Sequence, residues 1–164
     1  MKRIFYLTFS LILLINIVAC TGYKPIFSST NIQFEIADHS IEGDKILGNK
    51  IYSKLYSVSK SKKNNQDVRQ INFIINTSKS KNSTAKDSAG KIIEYKIILN
   101  TNVEVTDFIT NDIILNQTFI SSLSYRAQDQ YDDTIKLEAK STEDLINNTY
   151  NKLLNKLSQK ILIK

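Results

Sequence analysis

The residue with the clearest chemical role is Cys20, the only cysteine in the 164-residue chain. Two basic residues and the uncharged run 4–18 precede Ala19, the small residue directly before Cys20. This pattern is typical of a bacterial lipoprotein, in which a diacylglycerol alkylates the thiol, a peptidase cuts before the cysteine, and the new amine is acylated. The sequence therefore predicts a removed signal peptide over residues 1–19 and a lipid anchor and tether over residues 20–30.

Two further observations bear on this anchor. The apolar run is too short for a comfortable membrane span of ~20 residues, although an ordinary signal peptide with an incidental cysteine remains the alternative interpretation. Thr21 follows the cysteine where an aspartate retains lipoproteins in the inner membrane of some bacteria. The sequence therefore favours the outer membrane as the location.

A second candidate chemistry is the binding of anions by lysine. Lys79, Lys81, Lys86 and Lys91 lie in and beside a polar stretch, residues 78–90, that we interpret as a loop, and their charges would attract phosphate groups. The whole chain carries 22 Lys+Arg against 16 Asp+Glu, a net charge of +6. Because lysine is also encoded by A/T-rich codons, a merely solubilising loop is an equally simple interpretation.

The residue sets of common catalytic and metal sites are missing from the sequence. With one His and one Cys, the chain cannot build a His-rich metal centre or a Cys-based zinc site by itself. His39 falls in a predicted polar turn and is interpreted as solvated. Asp129, Asp132 and Asp133, beside Tyr131, lack the spacing of a calcium loop and are interpreted as the polar start of a helix. We expect no enzyme activity, no cofactor and no nucleic-acid partner.

The apolar pattern predicts four strands. Residues 32–36 alternate strictly, as do the residues around Ile71, Phe73 and Ile75, and each pattern is typical of a half-buried strand. Residues 91–105 and 113–125 continue the alternation on either side of a predicted turn at residues 110–112. Strands this close in the sequence pair most simply as an antiparallel meander.

Two helices complete the predicted fold. Leu47, Ile51, Leu55 and Val58 form one stripe of about four turns, followed by a predicted loop over residues 57–67. A second stripe runs to Ile161, and its helix starts either near Ser141, which has Asp144 three residues on, or nearer Tyr131. The order β-α-β-β-β-α predicts an α+β two-layer sandwich, a four-stranded mixed sheet with two helices on one face, as a single domain over residues 31–164.

Several separated segments resemble the alphaproteobacterial form of LptE, the lipopolysaccharide assembly lipoprotein family. After the lipidated cysteine, residues 22–27 read Gly-Tyr-Lys-Pro-Ile-Phe, as at the start of that family, with Thr21 inserted. The strand that begins Glu94-Tyr95 looks like the family's Glu-Tyr strand. The final third is similar in the following residues: Tyr125-Arg126, Tyr131, Ala139-Lys140 and Glu143-Asp144. The resemblance covers nearly the whole mature chain.

The resemblance implies a role in lipopolysaccharide transport and outer-membrane biogenesis. Such proteins plug the outer-membrane β-barrel LptD, assist its assembly and contact lipopolysaccharide on its way to the cell surface. They are anchored in the inner leaflet of the outer membrane, face the periplasm and the barrel lumen, and are not enzymes. The resemblance also implies two basic contact sites: one maps to Lys140, at the start of the last helix, and the other, less directly, to Lys86 and Lys91.

Two other functions stay open at this point. The protein could be a lipid-anchored scaffold or chaperone subunit of another envelope machine, with the same anchor and fold class but no lipopolysaccharide binding. It could also be a lipid-anchored hydrolase, against which the missing catalytic residue sets argue. Capture of a large barrel protein, or its absence, separates the first of these from the LptE-like function.

Overall fold

The computed structural model describes residues 34–60 and 68–162, so the predicted signal peptide, Cys20 and the tether lie outside the described residues. The elements in chain order are β1 (Phe34–Gly43), α1 (Lys45–Lys60), β2 (Arg69–Lys86), β3 (Ile92–Asp107), β4 (Ile113–Arg126) and α2 (Tyr131–Leu162). The predicted order β-α-β-β-β-α and the α+β class are confirmed.

The four strands form one mixed sheet in the spatial order β1-β2-β3-β4. β1 pairs with β2 in parallel, with Phe34 opposite Arg69 and Gly43 opposite Thr77. The β2–β3 and β3–β4 pairs are antiparallel. The parallel pair needs a crossover connection, and α1 supplies it.

Both helices pack on one face of the sheet, α1 mainly against β1 and β2 and α2 mainly against β4, and they contact each other. The predicted stripe of α1 is buried at Leu47, Ile51 and Leu55. The facing side of the sheet is buried along β3 at alternate positions from Ile97 to Val105. Apolar residues at every second position line one face of the strands, and apolar residues about every 3.6 positions line one side of each helix. These two apolar surfaces face each other, and their side chains form the core.

The junction between β1 and α1 depends on Gly43 and Asp44. Gly43 has a φ of 69°, and a Cβ there would overlap the carbonyl oxygen of Thr77. The Asp44 carboxylate accepts hydrogen bonds from the backbone N–H groups of Ile46 and Leu47, each at 3.1 Å. This is the N-cap arrangement that starts a helix.

The largest correction to the sequence prediction concerns β2. Residues 78–86 were predicted as loop, but the strand continues through them to Lys86, in register with β3. Their side chains are polar and mostly exposed, so they carry no apolar alternation. The backbone ladder with β3 forms regardless of side-chain polarity and holds the strand together.

Three other boundaries also differ from the prediction. β1 extends past a bulge at Ile36/Asp38, so His39 lies on a strand instead of in a turn. α1 continues over residues 57–60, where a loop was predicted. α2 begins at Tyr131, the earlier of its two predicted starts, so Ser141 is inside the helix. The predicted turn at residues 110–112 is confirmed, with Asn111 at a φ of 59°.

Candidate functional site

The hairpin turn, residues 87–91, lies at the end of the sheet where β2 meets β3, with Lys86 directly before it and Lys91 as its last residue. Asp87 organises the turn, because its carboxylate accepts the N–H groups of Ala89 and Lys91, each at 2.9 Å. Gly90 has a φ of 82°, and no atom lies within 4 Å of where its Cβ would be. Both lysine side chains are exposed on this fixed turn.

Lys140 lies elsewhere than predicted. It is exposed on the third turn of α2 instead of at the helix start, because α2 begins at Tyr131. It lines an open depression of about 360 Å³ together with Gln128, Asp133, Lys136 and Leu137. In that depression Lys136 pairs with Asp133 at 3.1 Å, and no carboxylate of the described residues forms an ion pair with Lys140.

Sequence reasoning missed a cluster formed by Lys79, Lys81, Tyr95, Tyr125 and Glu138, here called the Glu138 cluster. One Glu138 oxygen lies 2.5 Å from the ammonium of Lys81, and the other lies 3.5 Å from that of Lys79. The Tyr125 hydroxyl donates to Glu138 at 3.1 Å. The Lys81 ammonium stands 4.3 Å from the centre of the Tyr95 ring. The cluster joins β2, β3 and β4 to α2.

The electrostatics of the Glu138 cluster follow from these contacts. The hydrogen bond from Lys81 lowers the pKa of Glu138, and burial opposes this effect. The same hydrogen bond raises the pKa of Lys81. Burial raises the pKa of Tyr125, whose hydroxyl is held between the two charges. The cluster thus keeps a net charge of +1, because one carboxylate faces two ammonium groups, and both ammonium groups are paired with that carboxylate.

The four lysines predicted as one anion-attracting loop therefore separate into two pairs. Lys79 and Lys81 point to the helix side of the sheet and are paired with Glu138. Lys86 and Lys91 flank the hairpin turn, and no carboxylate of the described residues forms an ion pair with either. The signal for this placement is the alternation of side chains along β2: positions 79 and 81 continue the face that holds Ile75, which is the helix side of the sheet.

The remaining sequence candidates lie apart from these sites. His39 is exposed, as predicted, and its ring stacks on Tyr52 with ring centres 3.8 Å apart. Asp132 and Asp133 are in the first turn of α2, where carboxylates favour a helix start, and Asp129 precedes them. Within residues 34–60 and 68–162, no group of His, Cys, Asp and Glu side chains could hold a metal ion. In the same ranges neither helix is long and apolar enough to cross a membrane.

Comparison with known proteins finds likeness at the level of the fold. No protein-family model and no curated protein sequence matches this chain. A lipoprotein B of Nitrosomonas europaea superposes with a TM-score of 0.60 at 13% identity, over 84% of this chain and 90% of that one. A lipoprotein of Caulobacter crescentus gives 0.54 at 13% identity, over 79% and 92%. Rare lipoprotein B of Shewanella oneidensis gives 0.50 at 16% identity, over 77% and 98%.

These three structures are lipoproteins, and the superpositions cover nearly their whole lengths. The identities are too low to transfer individual residues. The described domain has the fold of these bacterial lipoproteins.

Proposed function

We propose that this chain is an outer-membrane lipoprotein that plugs and assists the assembly of an LptD-like β-barrel and binds lipopolysaccharide during its delivery to the cell surface. The observation that carries the proposal is the fold shared with rare lipoprotein B over 98% of that chain. The lipoprotein signature ending at Cys20 agrees with it, because an envelope lipoprotein is anchored beside such a barrel.

The uncovered face of the sheet, the outer face, supports a role as a plug. Its polar side chains pair across strands: Asn102 donates to Thr118 at 3.1 Å, and Asn116 donates to Glu104 at 2.8 Å. A polar surface that still exposes donors and acceptors loses little free energy against the hydrated inner wall of a barrel, provided that its hydrogen bonds are made. The same face also exposes Ile74 and Ile120, at 41% and 61%, so it fits a barrel wall that is mainly polar with some apolar side chains.

The unpaired lysines supply the glycolipid contacts in this proposal. Phosphates and acidic sugars attract ammonium groups that no carboxylate already neutralises, and Lys86, Lys91 and Lys140 meet this condition among the described residues. The lysines of the Glu138 cluster do not meet this condition, because the Glu138 carboxylate forms ion pairs with both Lys79 and Lys81. Divalent cations that bridge lipopolysaccharide would compete with the same three lysines.

Charge reversal tests the glycolipid contacts. The triple variant Lys86→Glu, Lys91→Glu, Lys140→Glu should bind lipopolysaccharide about tenfold more weakly, a loss of ~1.4 kcal/mol spread over three exposed contacts of ~0.2–1 kcal/mol each. Binding is measured as a titration of the purified full-length lipoprotein with lipopolysaccharide at two salt concentrations, and the difference should shrink at the higher salt.

A second variant controls for net charge alone. Lys45→Glu together with Lys156→Glu changes two exposed lysines that have no carboxylate partner among the described residues. Lys152 is unsuitable as a control, because its ammonium donates to the Ile120 carbonyl at 3.1 Å. If the control weakens binding per charge as much as the triple variant does, the assigned contacts are wrong and the attraction is diffuse.

A further inference from the structure

The turn between β3 and β4 displays apolar side chains to solvent. In this anchor-end turn, residues 108–113, Phe108 is 48% exposed, Ile109 is 81% exposed and Ile113 is 63% exposed. Large apolar side chains grouped at one exposed turn mark a contact surface more often than scattered ones do. The only charged residue among them is Asp112, which accepts the Thr110 hydroxyl at 2.9 Å.

The backbone of this turn is fixed by hydrogen bonds. Asp107, which is 8% exposed, accepts the N–H groups of Ile109 at 3.0 Å and Thr110 at 3.1 Å through one carboxylate oxygen. Its other oxygen accepts from the Arg69 guanidinium at 2.7 Å. The Phe108 N–H donates to the Gln70 carbonyl at 3.0 Å. The exposed side chains therefore stand on a rigid support instead of a loose loop.

The sheet register shows which end of the molecule carries this turn. Phe34, the first residue of β1, lies opposite Arg69 at the start of β2, and Ile71 lies opposite Asp107 at the end of β3. The chain thus enters the described domain at the same end as the anchor-end turn. The hairpin turn with its lysines lies at the other end of the sheet.

α2 brings positive charge toward the same end. Its early part contacts Tyr125 through Glu138, and its later part contacts Ser121 through Thr149 at 3.0 Å. The helix therefore advances toward the start of β4, and Lys160 lies in its last turn. Positive charge at the end of the molecule that exposes apolar side chains suits the headgroup and acyl-chain boundary of an anionic bilayer.

We propose that Phe108, Ile109 and Ile113 insert into the surface of the bilayer that holds the lipid anchor, as a second membrane contact beside Cys20. This inference rests on the lipid anchor of the proposed function. Cys20 lies 14 residues before Phe34, so the chain between them spans at most about 50 Å. The apolar turn fixes the domain with the anchor end on the membrane and the hairpin lysines pointing away from it.

Single-tryptophan variants test this contact, since the chain contains no Trp. The full-length lipoprotein carrying Ile109→Trp is reconstituted in vesicles of phosphatidylethanolamine and phosphatidylglycerol with brominated acyl chains. The matched control is Tyr131→Trp, because Tyr131 is 76% exposed and begins α2 near the opposite end of the sheet. Neither position is buried, so both variants should keep the wild-type thermal transition.

The inference predicts a blue-shifted emission and loss of most of the fluorescence for Ile109→Trp, with the Tyr131→Trp emission nearly unchanged. Equal quenching of the two variants, or none in either, overturns it. A third outcome also overturns it: Ile109→Trp is not quenched in vesicles, and its emission shifts to the blue only after a barrel protein is added. That outcome identifies a protein partner instead of the bilayer. Mass spectrometry of Cys20 separates the failures: an unacylated chain removes both the anchor and this inference, whereas an acylated, unquenched chain removes this inference alone.

Discussion

Asp107 shows at the scale of a single residue how a folded environment changes a carboxylate. Its pKa falls from 3.8 to about 2 because of the hydrogen bond from Arg69, followed by those from the backbone N–H groups of Thr110 and Ile109. A carboxylate with a lowered folded-state pKa stabilises the fold above its unfolded-state pKa, and this contribution disappears as the pH falls through the folded-state value. The free energy of unfolding should therefore decrease between about pH 4 and pH 2.

The variant Asp107→Asn tests this linkage. It keeps the size of the side chain but removes the charge beside Arg69, so the variant should be less stable than wild type at neutral pH. It should also lose the part of the pH dependence that lies between about pH 4 and pH 2. The measurement is urea unfolding across this pH range. Asp112→Asn is the control, since the Asp112 carboxylate accepts only the hydroxyl of the nearby Thr110. A steep acid transition retained in Asp107→Asn would assign the effect to other carboxylates.

At the scale of elements, the Glu138 cluster fastens the early part of α2 to the sheet. The side chain of Glu138 is only 18% exposed, and it binds two lysines of β2 and the Tyr125 hydroxyl of β4. The far end of β2 offers α2 few apolar side chains, because residues 78–86 are almost all polar. The ion pairs of Lys79 and Lys81 with Glu138 therefore connect this end of β2 to α2.

Glu138→Gln should destabilise the protein by about 1–2 kcal/mol, because it removes two ion pairs in a partly buried setting and leaves the lysine ammonium groups without an anion. Urea unfolding at neutral pH measures the loss. Glu143→Gln is the matched control on the same helix, since Glu143 pairs with Lys50 and Lys54 but its side chain is 42% exposed. We expect at most ~0.5 kcal/mol there. Equal losses in the two variants would mean that the Glu138 cluster has no special structural role.

At the scale of the whole molecule, the two layers give the domain two unlike faces and two unlike ends. The helices cover one face of the sheet, whereas the outer face keeps cross-strand polar pairs such as Asn76 with Glu42 at 3.1 Å. One end carries the hairpin lysines, and the other carries the apolar anchor-end turn. This division fits a protein that is held to a bilayer at one end, presents a polar side to a barrel and meets an anionic glycolipid at the other end.

The proposed barrel partner gives the whole-molecule prediction. Pull-down of the tagged full-length lipoprotein from detergent-solubilised outer membrane should recover one large β-barrel protein in near-equal amount. Substituting outer-face residues, as in Asn102→Arg together with Thr118→Arg, should reduce this recovery by placing bulky charges on the polar face. The matched control places the same two charges on α2, as Asn148→Arg together with Asn151→Arg, because both asparagines are exposed and lie on a helix instead of the outer face. Recovery of soluble periplasmic proteins alone would favour the scaffold function.

The sequence by itself determined the fold class, the order of the elements and the core positions of both helices. Leu47, Ile51 and Leu55 could be assigned to the core because the period of apolar residues directly records which side of a helix is buried. Cys20 was assigned in the same local way, from its neighbours in the chain, and its acylation stays a prediction. So do the contacts of Lys86, Lys91 and Lys140.

The tertiary structure alone decided the length of β2 and the partners of its lysines. Residues 78–86 have no apolar alternation, and their strand exists because β3 lies alongside and completes the backbone hydrogen bonds. Glu138 meets Lys81 across 57 residues of sequence, and Arg69 meets Asp107 across 38. A local pattern records burial but carries no information about which distant charge will lie opposite, because that depends on strand pairing and on where a helix crosses the sheet.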